Sequence, residues 1–357
     1  MHDIRIEKDL QHTATNCYRE LKQITGQKTL LTGCGGFLGF FMSNLFAYWN
    51  NNHNEKIICT LQDNFLRGTP KWIDGFHSDH IKFELHDVLS NYDRFDFHNI
   101  IHAASVASPT FYRKFPIETM DANVIGLRNL LENQLLFQNK KNLDTRFLFF
   151  SSSEIYGDPL PEFIPTKETY WGNVSCTGPR ACYDESKRYG ETLCYNFANV
   201  KNMHIVIARP FNNYGPGLKL DDGRVISDFA NSIKRNRTIQ IFSDGGPTRT
   251  FCYISDAIAG YIKILVNGKA GESYNIGTDK PEISMLELAN MMKNLVEDMT
   301  TVKVSIKKEI SKDKEYLTHN PNRRCPDITK AKLNLNYSPS VSLEEGLKKT
   351  LKWYGVV

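Results

Sequence analysis

"KTLLTGCGGFLGFFMSNLFAYW", Lys28 to Trp49, decides the fold. Its first part, "KTLLTG", is a short apolar run that ends in glycine and reads as a strand. Its last part, "FLGFFMSNLFAYW", has helical length and is apolar nearly all round, so it reads as a buried helix. Between them Gly33, Gly36 and Gly39 form G-x-x-G-x-x-G, with Phe37 and Leu38 between the last two. Glycine lets a backbone turn tightly and approach a pyrophosphate, and the helix start offers free N–H groups and a positive dipole end. A glycine pattern alone is weak. Here the strand before it and the helix after it are both present.

The same alternation continues outward. "KIICTLQDN" (56–64), "IKFELHDV" (81–88), "HNIIHAAS" (98–105), "TRFLFFSSS" (145–153) and "MHIVIARPFN" (203–212) read as further strands. Helical patterns stand at 117–133 and 183–199. Strands separated by helices imply parallel βαβ units, hence an α/β fold with a Rossmann-type doubly wound parallel sheet. After Arg209 the text turns to loops such as "NNYGPGLKLDDGR" and "FSDGGPTRT" mixed with short helices. The expected division is an N-terminal extension at 1–27, read as an amphipathic helix or a loose arm, and a dinucleotide-binding domain at 28–210. A smaller, mainly substrate-binding lobe at 211–357 closes over the carboxyl ends of the strands, with an interleaved boundary.

Composition narrows the class. The chain has 357 residues, 41% hydrophobic and 24% charged, with a net charge of +4. That balance gives no electrostatic footprint for nucleic acid. No apolar run approaches the ~20 residues of a membrane span, and the polar first 27 residues contain no apolar signal core. The eight cysteines form no C-x-x-C pair, so reduced thiols in a cytoplasmic protein are expected, without a disulfide framework or metal site.

The candidate site residues lie at strand ends. Asp63 follows Gly39 by 24 residues, where an acid can accept both ribose hydroxyls and repel a 2′-phosphate, so NAD is favoured over NADP. Asn64 adjoins it, and Asp87 and Val88 after the third strand are candidates for the adenine edge. Ala103, in the small-residue end of the fourth strand, lets the backbone approach a cofactor. Ser151, Ser152, Ser153 and Glu154 end the fifth strand, where polar groups line the crevice of an open parallel sheet. Tyr183 and Lys187 stand four residues apart and project from one helix face. They read either as a solvated surface pair or as a phenol whose pKa the ammonium lowers so that it serves as a base.

Together the glycine pattern, the strand-end serines and Tyr183-x-x-x-Lys187 resemble the extended short-chain dehydrogenase/reductases, the NAD-dependent sugar epimerase/dehydratase family. The likeness runs from about Lys28 to the C-terminus. "DNFLRG" (63–68), "ASVASPTFY" (104–112), "YWGNVSCTGPRACYDESKR" (170–188), "NNYGPGLKLDDGRVISDF" (212–229), "DGGPTRTFCYISD" (244–256) and "RRCPDITKAK" (323–332) look most like its UDP-glucuronate decarboxylases.

The resemblance implies a set of roles. Tyr183 would take the proton of the sugar 4-hydroxyl, Lys187 would lower the phenol pKa and hold the nicotinamide ribose, and Ser152 would bind the same sugar oxygen. The 4-keto sugar could then be re-reduced from the other face, lose water, or, as a β-keto acid, lose CO2. Dehydratases of the family carry an Asp-Glu pair where this chain has Ser153-Glu154, and typical 4-epimerases have a small uncharged residue at Glu154. Arg249 matches the decarboxylase arginine near the substrate carboxylate, and a diphosphate contact is its other reading. Tyr112, Asn212, Arg224 and Arg324 match substrate positions. A nucleotide sugar, with UDP as the expected nucleotide, and a homodimer through helices near 116–133 and 183–199 complete the implication. A 4-epimerase or 4,6-dehydratase is the alternative activity.

Overall fold

A computed structural model describes residues 2–76, 78–309 and 318–357. Seven strands make one sheet: Lys28–Thr32, Ile58–Asp63, Ile81–Leu85, Asn99–His102, Arg146–Phe150, His204–Pro210 and Ser273–Ile276. Counted in that sequence, their spatial order is seventh, sixth, fifth, fourth, first, second, third, and every pairing is parallel. The winding reverses between the first and fourth strands, which is where open α/β sheets leave a crevice at their carboxyl ends.

Helices cover both faces, so the central strands carry continuous apolar runs instead of an alternation. One face packs against the helix Phe37–Asn52 and the helix Ile254–Asn267. The other packs against Leu127–Lys141 and Ala181–Lys201. The helix Phe37–Asn52 buries Phe40, Phe41, Leu45, Phe46 and Trp49, which accounts for its nearly uniform apolarity. The helix Ala181–Lys201 ends where Asn202 adopts φ 53°, a left-handed stop that asparagine tolerates.

The seventh strand and the helix Ile254–Asn267 lie in the stretch assigned mainly to the smaller lobe, yet they complete the parallel sheet. The chain leaves the sheet after Pro210, returns to it from Ile254 to Ile276, and leaves again. "SYNI" is too short and too mixed to announce a buried strand by itself.

Of the two readings of the first 27 residues, the helical one holds and the loose arm does not. Glu7–Asn16 and Tyr18–Gln23 are helices, and they bury Leu10, Cys17 and Leu21 in the main core. Tyr253 donates to Asp9 Oδ2 at 2.6 Å, and Lys349 Nζ reaches Asp9 Oδ1 at 2.8 Å. The chain after Pro210 also contributes short strand pairings, among them Thr248–Arg249 between Ile283–Ser284 and Arg323–Arg324.

Candidate active site

The glycine turn is built as its spacing requires. Gly33 has φ +76°, and a Cβ there would stand 2.6 Å from the backbone of Ala103 and Ala104. A Cβ on Gly39 would stand 2.4 Å from the Gly33 carbonyl oxygen. Gly36 is different: a Cβ would meet only that carbonyl, at 3.3 Å, so the space above Gly36 opens into the crevice. Asp63 accepts from the Gly35 N–H at 2.9 Å and the Phe65 N–H at 2.7 Å. Burial outweighs those bonds and raises its pKa. Asn64 donates to Asp87 at 2.9 Å.

Cavities that share lining residues occupy the crevice among the described residues. One of about 250 Å³ is bordered by Gly33, Gly36, Phe37, Asp63, Asn64, Asp87, Val88 and Ala103. A second, of about 190 Å³, gathers Gly33, Gly36, Phe37, Leu38, Gly39, Ala103, Ser152, Ser153, Tyr183 and Lys187. Tyr112, Glu154, Asn212, Arg224 and Arg324 border this cavity and also a third, of about 500 Å³, which adds Arg180 and Arg249.

The predicted base and its partners stand in the second cavity. Tyr183 is 6% exposed, and burial raises its phenol to about 12, against a lowering hydrogen bond from Ser152. Its ring stacks on Tyr112 at 5.1 Å and 15°. The Tyr112 hydroxyl is buried and has no hydrogen-bond partner among the described residues. Lys187 donates to the Phe150 carbonyl at 2.8 Å, and burial lowers its pKa to about 7. Its nitrogen lies 5.8 Å from the centre of the Tyr183 ring. Burial is the largest influence on both groups: it raises the phenol and weakens the lysine charge.

Glu154 lies between two guanidiniums. Arg180 Nη2 and Arg324 Nη2 each approach its Oε2 at 2.5 Å. Burial would raise the carboxyl, but the two charges outweigh it and hold the pKa at about 2. Asp184, next along the helix from Tyr183, is pushed up to about 8 by burial and by Glu154. Arg249 is turned to the backbone. Its Nη1 donates to the carbonyls of Thr248 at 2.7 Å and Asn322 at 3.1 Å; its Nη2 donates to the Pro321 carbonyl at 2.5 Å and Asn320 Oδ1 at 3.4 Å. Burial, with Arg324 facing it, lowers its pKa to about 9. Both of its terminal nitrogens are thus engaged with backbone and Asn320.

The sequence reading did not single out Arg180. It stands in "GPRACY", three residues before Tyr183, and no local pattern signals that it meets a glutamate on another loop.

The sequence profile of the NAD-dependent epimerase/dehydratase family matches residues 29–277. The chain belongs to that family. It is 37% identical over 324 residues to UDP-glucuronic acid decarboxylase 1 of Arabidopsis thaliana, covering 90% of this chain and 68% of that one. It is 35% identical over 353 residues to UDP-glucuronic acid decarboxylase 1 of Xenopus tropicalis, covering 97% and 77%. The fold matches dTDP-glucose 4,6-dehydratase from Streptomyces venezuelae, solved with NAD and TYD, at a TM-score of 0.77, 21% identity and coverage of 92% and 97%. It also matches UDP-glucuronic acid 4-epimerase from Bacillus cereus with NAD, at a TM-score of 0.73, 24% identity and coverage of 92% and 96%. Within this epimerase/dehydratase family, a cavity chain running from Asp63 past the glycine turn to Tyr183 fits an extended dinucleotide. Gly33 and Gly39 exclude side chains, Gly36 opens upward, and the helix Phe37–Asn52 starts beneath.

Proposed function

We propose that this chain is an NAD-dependent decarboxylase of a UDP-hexuronate, converting UDP-glucuronate to the UDP-pentose. The observation that carries the reading is the Arg180–Glu154–Arg324 cluster beside Tyr183: two guanidiniums meet one carboxylate, and Arg249 adds a third beside them. A cavity of that sign suits a substrate with a carboxylate as well as a diphosphate. Relatives at 35 to 37% identity, named UDP-glucuronic acid decarboxylase, point the same way.

Asp63 would hold the adenosine ribose, the turn at Gly33–Gly39 the pyrophosphate, and Lys187 the nicotinamide ribose. The dinucleotide supplies oxidation at the sugar C4 and the later reversal of it. Tyr183 would accept the 4-hydroxyl proton once its own proton has left, a step that burial opposes in the resting site, and Ser152 would donate a hydrogen bond to the same oxygen. The 4-ketone turns the C6 carboxylate into a β-keto acid. The carbon–carbon bond breaks, its electron pair passes to C5 as an enolate, and CO2 leaves. A proton then returns to C5. With a pKa near 2 while both arginines hold it, Glu154 is an anion in the resting site, and its first task is to fix those arginines.

A homodimer is part of the proposal. Ile117, Met120, Ile125, Tyr189 and Tyr195 are exposed on the two helical stretches the resemblance points to. No helix among the described residues is long and apolar enough to cross a membrane. All eight cysteines are free, which favours a reducing, cytoplasmic compartment.

The test is mass spectrometry of UDP-glucuronate and UDP-glucose incubated with purified protein and NAD. Loss of the mass of CO2 from UDP-glucuronate supports the reading. Water lost from UDP-glucose with no CO2 from UDP-glucuronate would replace it with a dehydratase. UDP-galacturonate formed at constant mass would replace it with an epimerase.

A further inference from the structure

The two cofactor-side cavities meet at one place. The adenosine-side cavity and the cavity at Tyr183 share Gly33, Gly36, Arg67 and Asp222. Those glycines are the floor for a pyrophosphate, so a dinucleotide laid across both cavities passes this junction. Arg67 belongs to the loop after the second strand, and Asp222 to the loop after the sixth. Arg67 Nη1 donates to Asp222 Oδ2 at 3.2 Å.

Further contacts brace the pair. The Arg67 guanidinium carbon lies 4.0 Å from the centre of the Phe111 ring. Lys219 Nζ donates to the Arg67 carbonyl at 3.3 Å, and Ser108 Oγ donates to the Asp222 carbonyl at 2.5 Å. The Asp222 side chain is 5% exposed and that of Arg67 27%, so the acid is buried while the guanidinium stays partly open to water; Arg224 Nε also stands 3.1 Å from Asp222 Oδ1. Gly223, at φ +83°, brings the loop so close to Thr110 that a Cβ would lie 2.7 Å from its Oγ1. The two loops that wall the cofactor crevice are thus joined to each other and to the segment after the fourth strand.

We propose that Arg67 is a positioning residue: with Asp222 it latches the two loops across the bound dinucleotide and retains it through both halves of the reaction. This deepens the proposed function, since an oxidation at C4 that is later reversed needs the same cofactor to stay. The competing account treats Arg67 as a point charge that attracts the pyrophosphate. The two accounts differ in the sign of one variant. Neutralising Asp222 opens a latch, but it leaves a bare point charge more attractive to phosphate.

The experiment loads purified protein with NAD, removes free NAD by rapid desalting, and follows the NAD that remains bound, with no sugar nucleotide present. Melting temperatures are recorded for each variant. Arg67→Met, which keeps the stem over Phe111 and removes the charge, should shorten the half-time of NAD release about tenfold, as for loss of a charge-assisted hydrogen bond. Arg67→Lys should fall between Arg67→Met and the unmodified chain, and Asp222→Asn should also shorten the half-time. Slower release from Asp222→Asn, or an unchanged half-time in Arg67→Met whatever its melting temperature, would overturn the latch. The readout contains no catalytic step, so a chain that releases no CO2 from UDP-glucuronate leaves it standing or falling on its own.

Discussion

Glu154 carries the charge that lets two buried arginines coexist beside the sugar site. Glu154→Gln removes the carboxylate that Arg180 and Arg324 share and leaves Asp184, 3.8 Å from Arg180, as the remaining acid; it should cost about 3–5 kcal/mol of stability, read by urea unfolding. The pH dependence has a definite sign. The folded pKa of about 2 lies below the ordinary carboxylate value, so the stabilisation is complete above about pH 5. It is lost as pH falls toward 2, and the variant should show a flatter acid limb in that window. Tyr183→Phe should fold normally and abolish C4 oxidation, because the ring and its stacking on Tyr112 remain while the proton acceptor is gone. Ser152 pulls the buried phenol down, so Ser152→Ala should move the rise of kcat/KM with pH upward by about one pH unit. No movement in the Ser152→Ala profile would show that Tyr183 does not titrate in that limb.

Single elements carry their own constraints. The strand Lys28–Thr32 and the helix Phe37–Asn52 touch through glycines, and they do not tolerate all three equally. Gly39→Ala places a methyl 2.4 Å from the Gly33 carbonyl and must shift the turn. Gly36→Ala meets only 3.3 Å of crowding, so its fold should survive. The methyl stands where the pyrophosphate approaches, so NAD affinity should fall while the melting temperature changes little. A Gly39→Ala protein as stable as the unmodified chain would contradict this packing. The helix Glu7–Asn16 is the second case. Leu10 is fully buried against the main core, so Leu10→Ala should cost about 2–5 kcal/mol. An unchanged unfolding midpoint would mean that the helix is dispensable.

At the scale of the molecule, the proposed dimer puts the exposed faces of two helical stretches together. Ile125→Asp combined with Tyr195→Asp should give a monomer by light scattering without loss of helical signal, and a monomeric unmodified chain would remove the dimer from the proposal. How much could be read in advance differed with the range of the contact involved. The alternation of apolar strands and helices is set by neighbours in sequence, so six of the seven strands, the doubly wound class and the glycine turn were legible in the chain. The relation of Gly33 to Gly39 is likewise local, since the five residues between them form the turn itself. The seventh strand was not legible, because Ser273–Ile276 becomes a buried strand only by pairing with His204–Pro210. The N-terminal helix could be foreseen, but its place could not, since Asp9 finds Tyr253 and Lys349 far along the chain. The same holds for Arg180, which becomes a functional candidate only when the fold delivers it to Glu154, and for the meeting of Arg324 with that same carboxylate. Burial, too, is a property of the assembled molecule: it lifts Tyr183 and depresses Lys187, which their spacing alone could not tell. The sequence by itself determined the sheet class, the dinucleotide turn and the chemical types at the strand ends, because those depend on period and local backbone freedom. Tertiary structure alone decided which charges meet and how dry they are, because charge pairing and desolvation depend on distances between segments that the chain order does not contain.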